Sequence, residues 1–425
     1  MQFSKITGFL VDNATQALAA VLPGDLAADK ALSEYFRANP KLGAYERRFA
    51  AEVVYTVIRN RRSLSAMAER HHPRALVLAA LARFSGFNTR QFETIAKPPE
   101  LEMIARVKAQ QAADLDLAVR LDLPDWLCER LVAQEGEANA TVLALALNQA
   151  APLDLRVNTI KATRDEVLAK LRDGDFAYPC EPTRYAPHGV RLAEKPALAK
   201  HPLFVSGAIE VQDEGSQLLC ALTNPKRGEM VADFCAGAGG KTLALGAMMR
   251  STGRLYAFDV SEGRLKKFGP RLKRSGLSNV HPVRIDNEND LKVKRLAGKM
   301  DRVLVDAPCS GLGTLRRNPE LKWRQQPNDI VELAAKQLRI LEGASRLVKP
   351  GGVLVYATCS ILNDENLAVV EQFLARRPEF AQRSAPEALA AMRIDLPNQS
   401  GPALVLRPHL HGTDAFFAAL LVRQS

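Results

Sequence analysis

The chain has 425 residues, 47% hydrophobic and 25% charged, with a formal net charge of +11 and a pI of about 9.4. This size suits two or three domains of ordinary globular composition. It argues against a membrane-spanning helix, since no apolar stretch approaches the roughly 20 residues a span needs. The positive charge favours a polyanionic partner, RNA or DNA, over a small substrate alone.

Residues 1–120 read as an all-helical region. No N-terminal basic, apolar and small-residue order marks a secretion signal, so a cytoplasmic location is expected. Between residues 42 and 59, Phe49, Val53 and Val57, with Ala50, Val54 and Ile58, recur at helical spacing. The opposite face carries Arg47, Arg48, Arg59, Arg61 and Arg62, which predicts a surface for RNA phosphates. Further helical runs cover 76–84 and 101–121, parted by Pro98 and Pro99. His71 and His72, followed by Pro73, suit a turn better than a ligand pair.

Residues 121–205 read as a small α/β module. Pro124 suits the first turn of a helix containing Trp126 and Leu131. Residues 153–157 alternate like a strand. Thr163 and Glu166 form a capping box for a helix ending near Gly174. Short strands are expected around Tyr178 and Val190. Arg156 and Lys161 are candidates for RNA backbone contact.

From about 206 to 425, strands expected at 230–235, 255–260, 282–286, 302–306 and 353–358 alternate with helical segments. That order predicts a Rossmann-like, doubly wound α/β sheet, largely parallel. The runs 403–406 and 416–422 are expected to close it as an antiparallel pair.

The first of these strands runs into Val231-Ala-Asp-Phe-Cys-Ala-Gly-Ala-Gly-Gly-Lys-Thr242. A buried strand that turns on glycines into a helix is a nucleotide-binding unit. Three ligands are open. A P-loop phosphate needs glycine five positions before Gly240, where Cys235 stands. A strict dinucleotide pattern counted from Gly237 needs glycine at Thr242. S-adenosylmethionine needs a carboxylate-binding turn and a ribose acid after the next strand, where Asp259 stands.

The cysteines decide between them. There are six, Cys128, Cys180, Cys220, Cys235, Cys309 and Cys359, with no C-x-x-C pair, so neither a metal site nor a disulfide framework is expected. Cys309, in Asp306-Ala-Pro-Cys-Ser-Gly, and Cys359, in Ala357-Thr-Cys-Ser, each follow a strand. Ligands of a doubly wound sheet bind beyond the carboxyl ends of its strands. Neighbouring strands would therefore bring both sulfurs beside the cofactor.

With these pieces the chain resembles the RsmB/Nop/Sun family of RNA cytosine-5 methyltransferases. The matching motifs are Gln212-Asp-Glu-Gly-Ser-Gln217, residues 235–242, Asp306-Ala-Pro-Cys-Ser-Gly311, Arg317-Asn-Pro-Glu-Leu-Lys-Trp323, Lys349-Pro-Gly-Gly352, Tyr356-Ala-Thr-Cys-Ser360 and Asp414-Ala-Phe-Phe417. Residues 47–59 resemble the NusB-like helical domain of the family's bacterial members that act on small-subunit ribosomal RNA. Ala238 departs from the family's usual proline in the cofactor loop, which should loosen the turn slightly.

The resemblance implies three domains: a NusB-like RNA-binding domain over 1–120, a small module over 121–205 and an S-adenosylmethionine-dependent catalytic domain over 206–425. It implies 5-methylcytosine formation by a Cys359 adduct at cytosine carbon 6, with Cys309 releasing the adduct, Asp306 binding the base and Lys241 orienting the site. It carries over Cys235, Ala236, Gly237, Ala238, Gly239, Gly240, Lys241, Asp259, Asp286 and Asp306 as cofactor contacts. Small-subunit ribosomal RNA is the expected partner, a monomer the expected assembly, and tRNA the alternative substrate. Arg316, Arg317, Lys322, Arg324 and the cluster Arg264, Lys266, Lys267, Arg271, Lys273 and Arg274 are candidates for holding RNA. Trp323 reads as core rather than as a stacking platform. A second class of function is an assembly factor that binds RNA and retains a vestigial sheet; an intact set of Cys309, Cys359 and Asp306 argues against it.

Overall fold

The computed structural model describes residues 1, 3–111, 114–173 and 177–424, so Gly174, the expected helix end, lies outside the described residues. By contact density the chain forms two compact units, Met1–Gln149 with Leu315–Gln325, and Ala150–Thr314 with Gln326–Ser425. These borders differ from the divisions expected at 120 and 205. The helices Asp125–Glu135 and Glu137–Leu147 fall within the first unit, and the small sheet falls within the second.

The first unit is helical. Gly8–Val21, Ala44–Arg59, Pro73–Phe84 and Pro98–Ala109 bury Val11, Phe49, Val53, Val57, Leu78 and Ile104 in one core. His72 caps a helix: its ring nitrogen accepts from the Ala75 N–H at 3.2 Å, and Pro73 fills the first turn. The arginine face is largely committed within the unit. Arg47 donates to the Leu42 carbonyl, Arg48 pairs with Glu52, and Arg62 reaches the Leu123 carbonyl and Asp125. Arg59 donates to the carbonyls of Gln149, Leu315 and Arg316, and burial lowers its pKa. These contacts commit Arg47, Arg59 and Arg62 to the protein itself and narrow the expected phosphate-binding face, while Arg48 stays exposed.

The segment Leu315–Gln325 belongs to this unit although its sequence neighbours lie in the other. Trp323 packs on the helical core and donates from Nε1 to the Ile58 carbonyl at 2.8 Å, as a core residue should. Lys322, expected to hold phosphate, is instead 2% exposed. Its Nζ donates to the Arg59 carbonyl at 2.8 Å and to Asn148 Oδ1 at 3.0 Å. Asp122, buried and bonded to Ser63, supplies the opposing charge. The motif around Lys322 and Trp323 thus ties its segment into the helical unit.

The second unit holds two sheets. The small one has the order β2-β3-β1-β4, with β1 Leu153–Val157, β2 Cys180–Pro182, β3 Gly189–Leu192 and β4 Ile209–Val211, all antiparallel. The helix Arg164–Arg172, with the expected capping box at Thr163 and Glu166, covers it through Val167, Leu168 and Leu171. Arg156 is buried and bonds Gln212 Oε1 at 2.6 Å, so it is not available to an RNA backbone. Lys161 donates to the carbonyls of Ser206 and Arg274, which caps a helix end instead.

The large sheet has the order β10-β12-β9-β8-β5-β6-β7, with β11 paired to β12. Its strands are β5 Met230–Asp233, β6 Arg254–Asp259, β7 Val280–Arg284, β8 Met300–Asp306, β9 Val348–Thr358, β10 Phe380–Arg383, β11 Leu404–Leu406 and β12 Phe416–Arg423. β5 to β9 are parallel to one another, and β12 runs antiparallel beside β9. Apolar clusters cover both faces, as a parallel sheet requires. The Lys349-Pro-Gly-Gly turn is absorbed into β9 as an irregularity in its pairing with β8 between Met300 and Arg302. β10 is a strand that the sequence reading did not expect.

Lys322 gives the helical unit a testable pH dependence. Burial pulls its ammonium down to about 7, against an ordinary value of 10.5, while Asp122 pulls the other way. Between those values the unfolded chain binds a proton that the folded unit does not, so stability rises with pH across that window. In Lys322→Met that rise disappears. Urea unfolding between pH 7 and pH 10 should show the wild type gaining ~2 kcal/mol on the variant, an order-of-magnitude figure from the linkage between pKa and stability. Parallel pH profiles would contradict the assignment.

Candidate active site

The chain reverses its direction of travel across the sheet at β5. β6 and β7 build out on one side of it, β8 and β9 on the other. Strands diverge there, and a crevice opens at their carboxyl ends. The glycine turn leaves β5 at this point and enters the helix Gly240–Met248.

Gly239 sets the shape of the turn. Its φ is +82°, and its N–H donates to the Ala236 carbonyl at 2.9 Å. A β-carbon there would lie 2.0 Å from the Phe268 ring, so only glycine fits. Gly237, by contrast, faces open space. The helix that follows has no side-chain cap, so its first amides are left for a ligand. Ala238 lacks the rigidity of the family's proline, yet Arg271 donates to its carbonyl at 2.7 Å and holds the turn from outside. Arg271 and Arg274 both pair with Glu210, which corrects their expected role on phosphate. Arg264 pairs with Asp259 and Lys266 with Glu262.

Asp259 ends β6 with its side chain buried. One oxygen accepts the Gly237 N–H at 2.8 Å, the other the Ser261 N–H at 2.7 Å. A carboxylate has about four acceptor sites, so capacity remains for a ribose diol. The turn and this acid therefore fit a nucleoside-bearing cofactor. Asp286 lies just beyond β7; its carboxylate is exposed and paired with Arg284 at 3.3 Å.

Beneath the turn, Asp233 accepts from Thr242 Oγ1 at 2.7 Å. Burial, above all, and the charge of Asp306 raise its carboxyl to about 7. Lys241 Nζ lies 2.7 Å from Asp306 Oδ2, at the end of β8, and 5.9 Å above the Phe416 ring. Burial pushes the Lys241 ammonium down, but the charge and hydrogen bond of Asp306 outweigh it and hold it well above the ordinary lysine value. Asp306 is thus an oriented carboxylate with a permanent cation beside it.

β8 and β9 are in register at Asp306 and Ala357. The turns after them carry Cys309 and Cys359, and the two sulfurs are 3.3 Å apart. The hydrogen bond to Cys359, then burial, then the charges of Cys359 and Glu365 raise the Cys309 thiol well above its ordinary value. Cys309 is therefore held as a thiol that can donate to Cys359. Burial lifts Cys220 to about 12 and pushes Cys235 higher still, with Asp233, Asp306 and Asp259 adding to the effect on Cys235. Neither of those two is a nucleophile at neutral pH.

Several residues outside the expected set complete the site. Gly313 donates to the Cys359 carbonyl at 2.8 Å, and the Ala415 N–H donates to the Gly313 carbonyl. A side chain on Gly313 would strike both backbones. The motif at 212–217 is a seam, not a site: Glu214 accepts the N–H groups of Tyr185 and Ala186, and Gly215 lies against Phe416. Below the cysteines lies a buried network of Ser310, Ser360, Gln337, Tyr356 and Glu365. Its signal in the sequence is the serine that follows each cysteine.

Known proteins resemble this chain in sequence and fold. The 16S rRNA methyltransferase RsmB/F model matches residues 220–422, and the RsmF/B-like ferredoxin-like domain matches residues 123–199. The chain is 32% identical to a probable ribosomal RNA small subunit methyltransferase B of Synechocystis, over 93% of this chain and 94% of that one. It is 34% identical to the ribosomal RNA small subunit methyltransferase B of Yersinia pseudotuberculosis, over 78% and 75%. The crystal structure of PH0851 superposes with a TM-score of 0.80 at 26% identity, covering 98% of this chain and 99% of that one. With its switch-point crevice, its glycine turn and its pair of adjacent thiols, the chain belongs to the RsmB/F family of S-adenosylmethionine-dependent 16S ribosomal RNA methyltransferases.

Proposed function

We propose that this protein methylates carbon 5 of a cytosine in small-subunit ribosomal RNA, with Cys359 as the nucleophile and Cys309 as the residue that releases the product. The observation that carries this reading is the pair of sulfurs 3.3 Å apart, next to the Lys241–Asp306 ion pair.

Carbon 5 of cytosine is a poor nucleophile. Addition of the Cys359 thiolate to carbon 6 turns the ring into an enamine whose carbon 5 accepts a methyl group. Asp306 orients the pyrimidine by accepting a hydrogen bond from its amino group, and Lys241 keeps that carboxylate in place. S-adenosylmethionine, when bound, supplies an electrophilic methyl group. Residues 235–241 and Asp259 would hold it, with Asp286 at the outer edge.

The adduct then has to collapse. The carbon 5 proton leaves, its electron pair restores the ring double bond, and the bond from carbon 6 to sulfur breaks with its pair going to sulfur. The Cys309 thiol gives its proton to the departing Cys359 sulfur. The Cys309 thiolate so formed takes the carbon 5 proton, and both thiols are restored. A cytosine stacked in a helix is out of reach of this site, so the target is unpaired or flipped, at a cost of a few kcal/mol.

Two experiments bear on this reading. Cys359→Ala should abolish tritiated methyl transfer to unmodified small-subunit rRNA, whereas Cys309→Ala should accumulate an enzyme–RNA adduct on a denaturing gel. The absence of an adduct from Cys309→Ala counts against the division of roles. Gly239→Ala should weaken S-adenosylmethionine binding by ~100-fold in calorimetry, since it must relieve both a backbone conformation unsuited to alanine and a clash with Phe268, each worth a kcal/mol or more. Unchanged affinity would remove the glycine turn from the cofactor site.

A further inference from the structure

The carboxyl group of Glu365 is fully buried. Its Oε1 accepts the Ser310 N–H at 2.8 Å and Gln337 Nε2 at 2.9 Å. Its Oε2 accepts the hydroxyls of Ser310 and Ser360. All four acceptor sites of a carboxylate are thereby taken. Its partners among the described residues are hydrogen-bond donors and no cation. Such a group is costly to bury unless every bond is made.

The identity of the donors gives this group its meaning. Ser310 follows Cys309 and Ser360 follows Cys359, so one carboxylate grips the turn that carries each sulfur. The surrounding bonds fix both turns from other sides. Gln337 Nε2 also donates to the Pro308 carbonyl at 3.0 Å, and Tyr356 donates to the Glu365 carbonyl. Asn366 donates to the Ser360 carbonyl at 3.0 Å. Parallel strands set the two turns side by side, but they do not by themselves set the gap between two side chains beyond the strand ends.

We infer that Glu365 is the positioning residue for both sulfurs: through Ser310 and Ser360 it clips the two cysteine turns together and sets the distance between nucleophile and releasing thiol. This rests on the division of roles between Cys359 and Cys309 given above. Each serine then governs a different step. Ser360 steadies the attacking sulfur, and Ser310 steadies the releasing one.

The test uses the full chain, an unmodified small-subunit rRNA transcript and S-adenosylmethionine, with adduct followed on denaturing gels in a single turnover. Ser360→Ala should slow adduct formation, and Ser310→Ala should slow adduct decay, each by ~10- to 100-fold, the usual consequence of displacing a reacting group by about an ångström. Glu365→Gln should slow both steps, because an amide cannot accept four donors. Ser310→Thr and Ser360→Thr, which keep the hydroxyl, should recover most of the loss. Crystal structures of the two alanine variants should show the sulfurs farther apart than the present 3.3 Å. Should both alanine variants keep wild-type rates and an unchanged gap, and only melt at a lower temperature, the network is structural and the inference is overturned. Should Cys309→Ala trap no adduct, the division of roles falls, and the positioning claim stands or falls on the sulfur gap alone.

Discussion

The adjacency of two parallel strands is the constraint on which this site depends. β8 and β9 share a register that sets Asp306 beside Ala357. The chain leaves both strands in the same direction, with Cys309 three residues past the end of β8 and Cys359 one residue past the end of β9. No disulfide, metal or loop closure is needed to bring the cysteines together. The crossover between the strands includes the helix Pro327–Ser345, which also supplies Gln337 to the network below the turns. The segment that separates the two cysteines in sequence therefore helps to lock them together in space.

The same logic sorts the thiols. Cys220, Cys235, Cys309 and Cys359 all lie in the second unit, and three of them have thiols raised in pKa by their surroundings. Burial is the leading cause for Cys220 and Cys235. For Cys309 it is the hydrogen bond to Cys359, with Glu365 adding to it. A thiol that donates to its neighbour stabilises negative charge on that neighbour. The hydrogen bond to Cys359, with burial and the charge of Glu365, thus sets Cys309 apart as a protonated thiol.

Much of this was legible in the sequence, and the reasons are physical. The catalytic strands were visible as apolar runs bounded by glycine turns, and their order followed from the alternation with helices. The cysteines were visible because strand ends are where such a sheet binds ligands. What the sequence does not reveal is set by contacts between residues distant along the chain. Arg156, Arg271, Arg274 and Lys322 read as phosphate ligands because charge alone cannot reveal a partner such as Gln212, Glu210 or the Arg59 carbonyl. Nothing in the sequence singles out Glu365, because its donors stand 55 and 5 residues away along the chain. Residues 315–325 read as part of the catalytic domain because sequence continuity hides which core a segment joins.

That last segment changes how the family motif around Trp323 is understood. Its tryptophan and its lysine are spent inside the helical unit, on the Ile58 and Arg59 carbonyls near the end of the helix Ala44–Arg59. Those carbonyls belong to a last turn that has no partner within its own helix, so the motif satisfies groups that burial would otherwise leave unpaired. The lysine is a costly choice for such a cap, since its charge opposes burial. Its compensation is reach: a long stem with three donors satisfies both Arg59 and Asn148, and an apolar residue of similar volume would satisfy neither. The segment that begins six residues after Cys309 is therefore held by hydrogen bonds in the helical core, where sequence changes at Ile58 or Arg59 act on it.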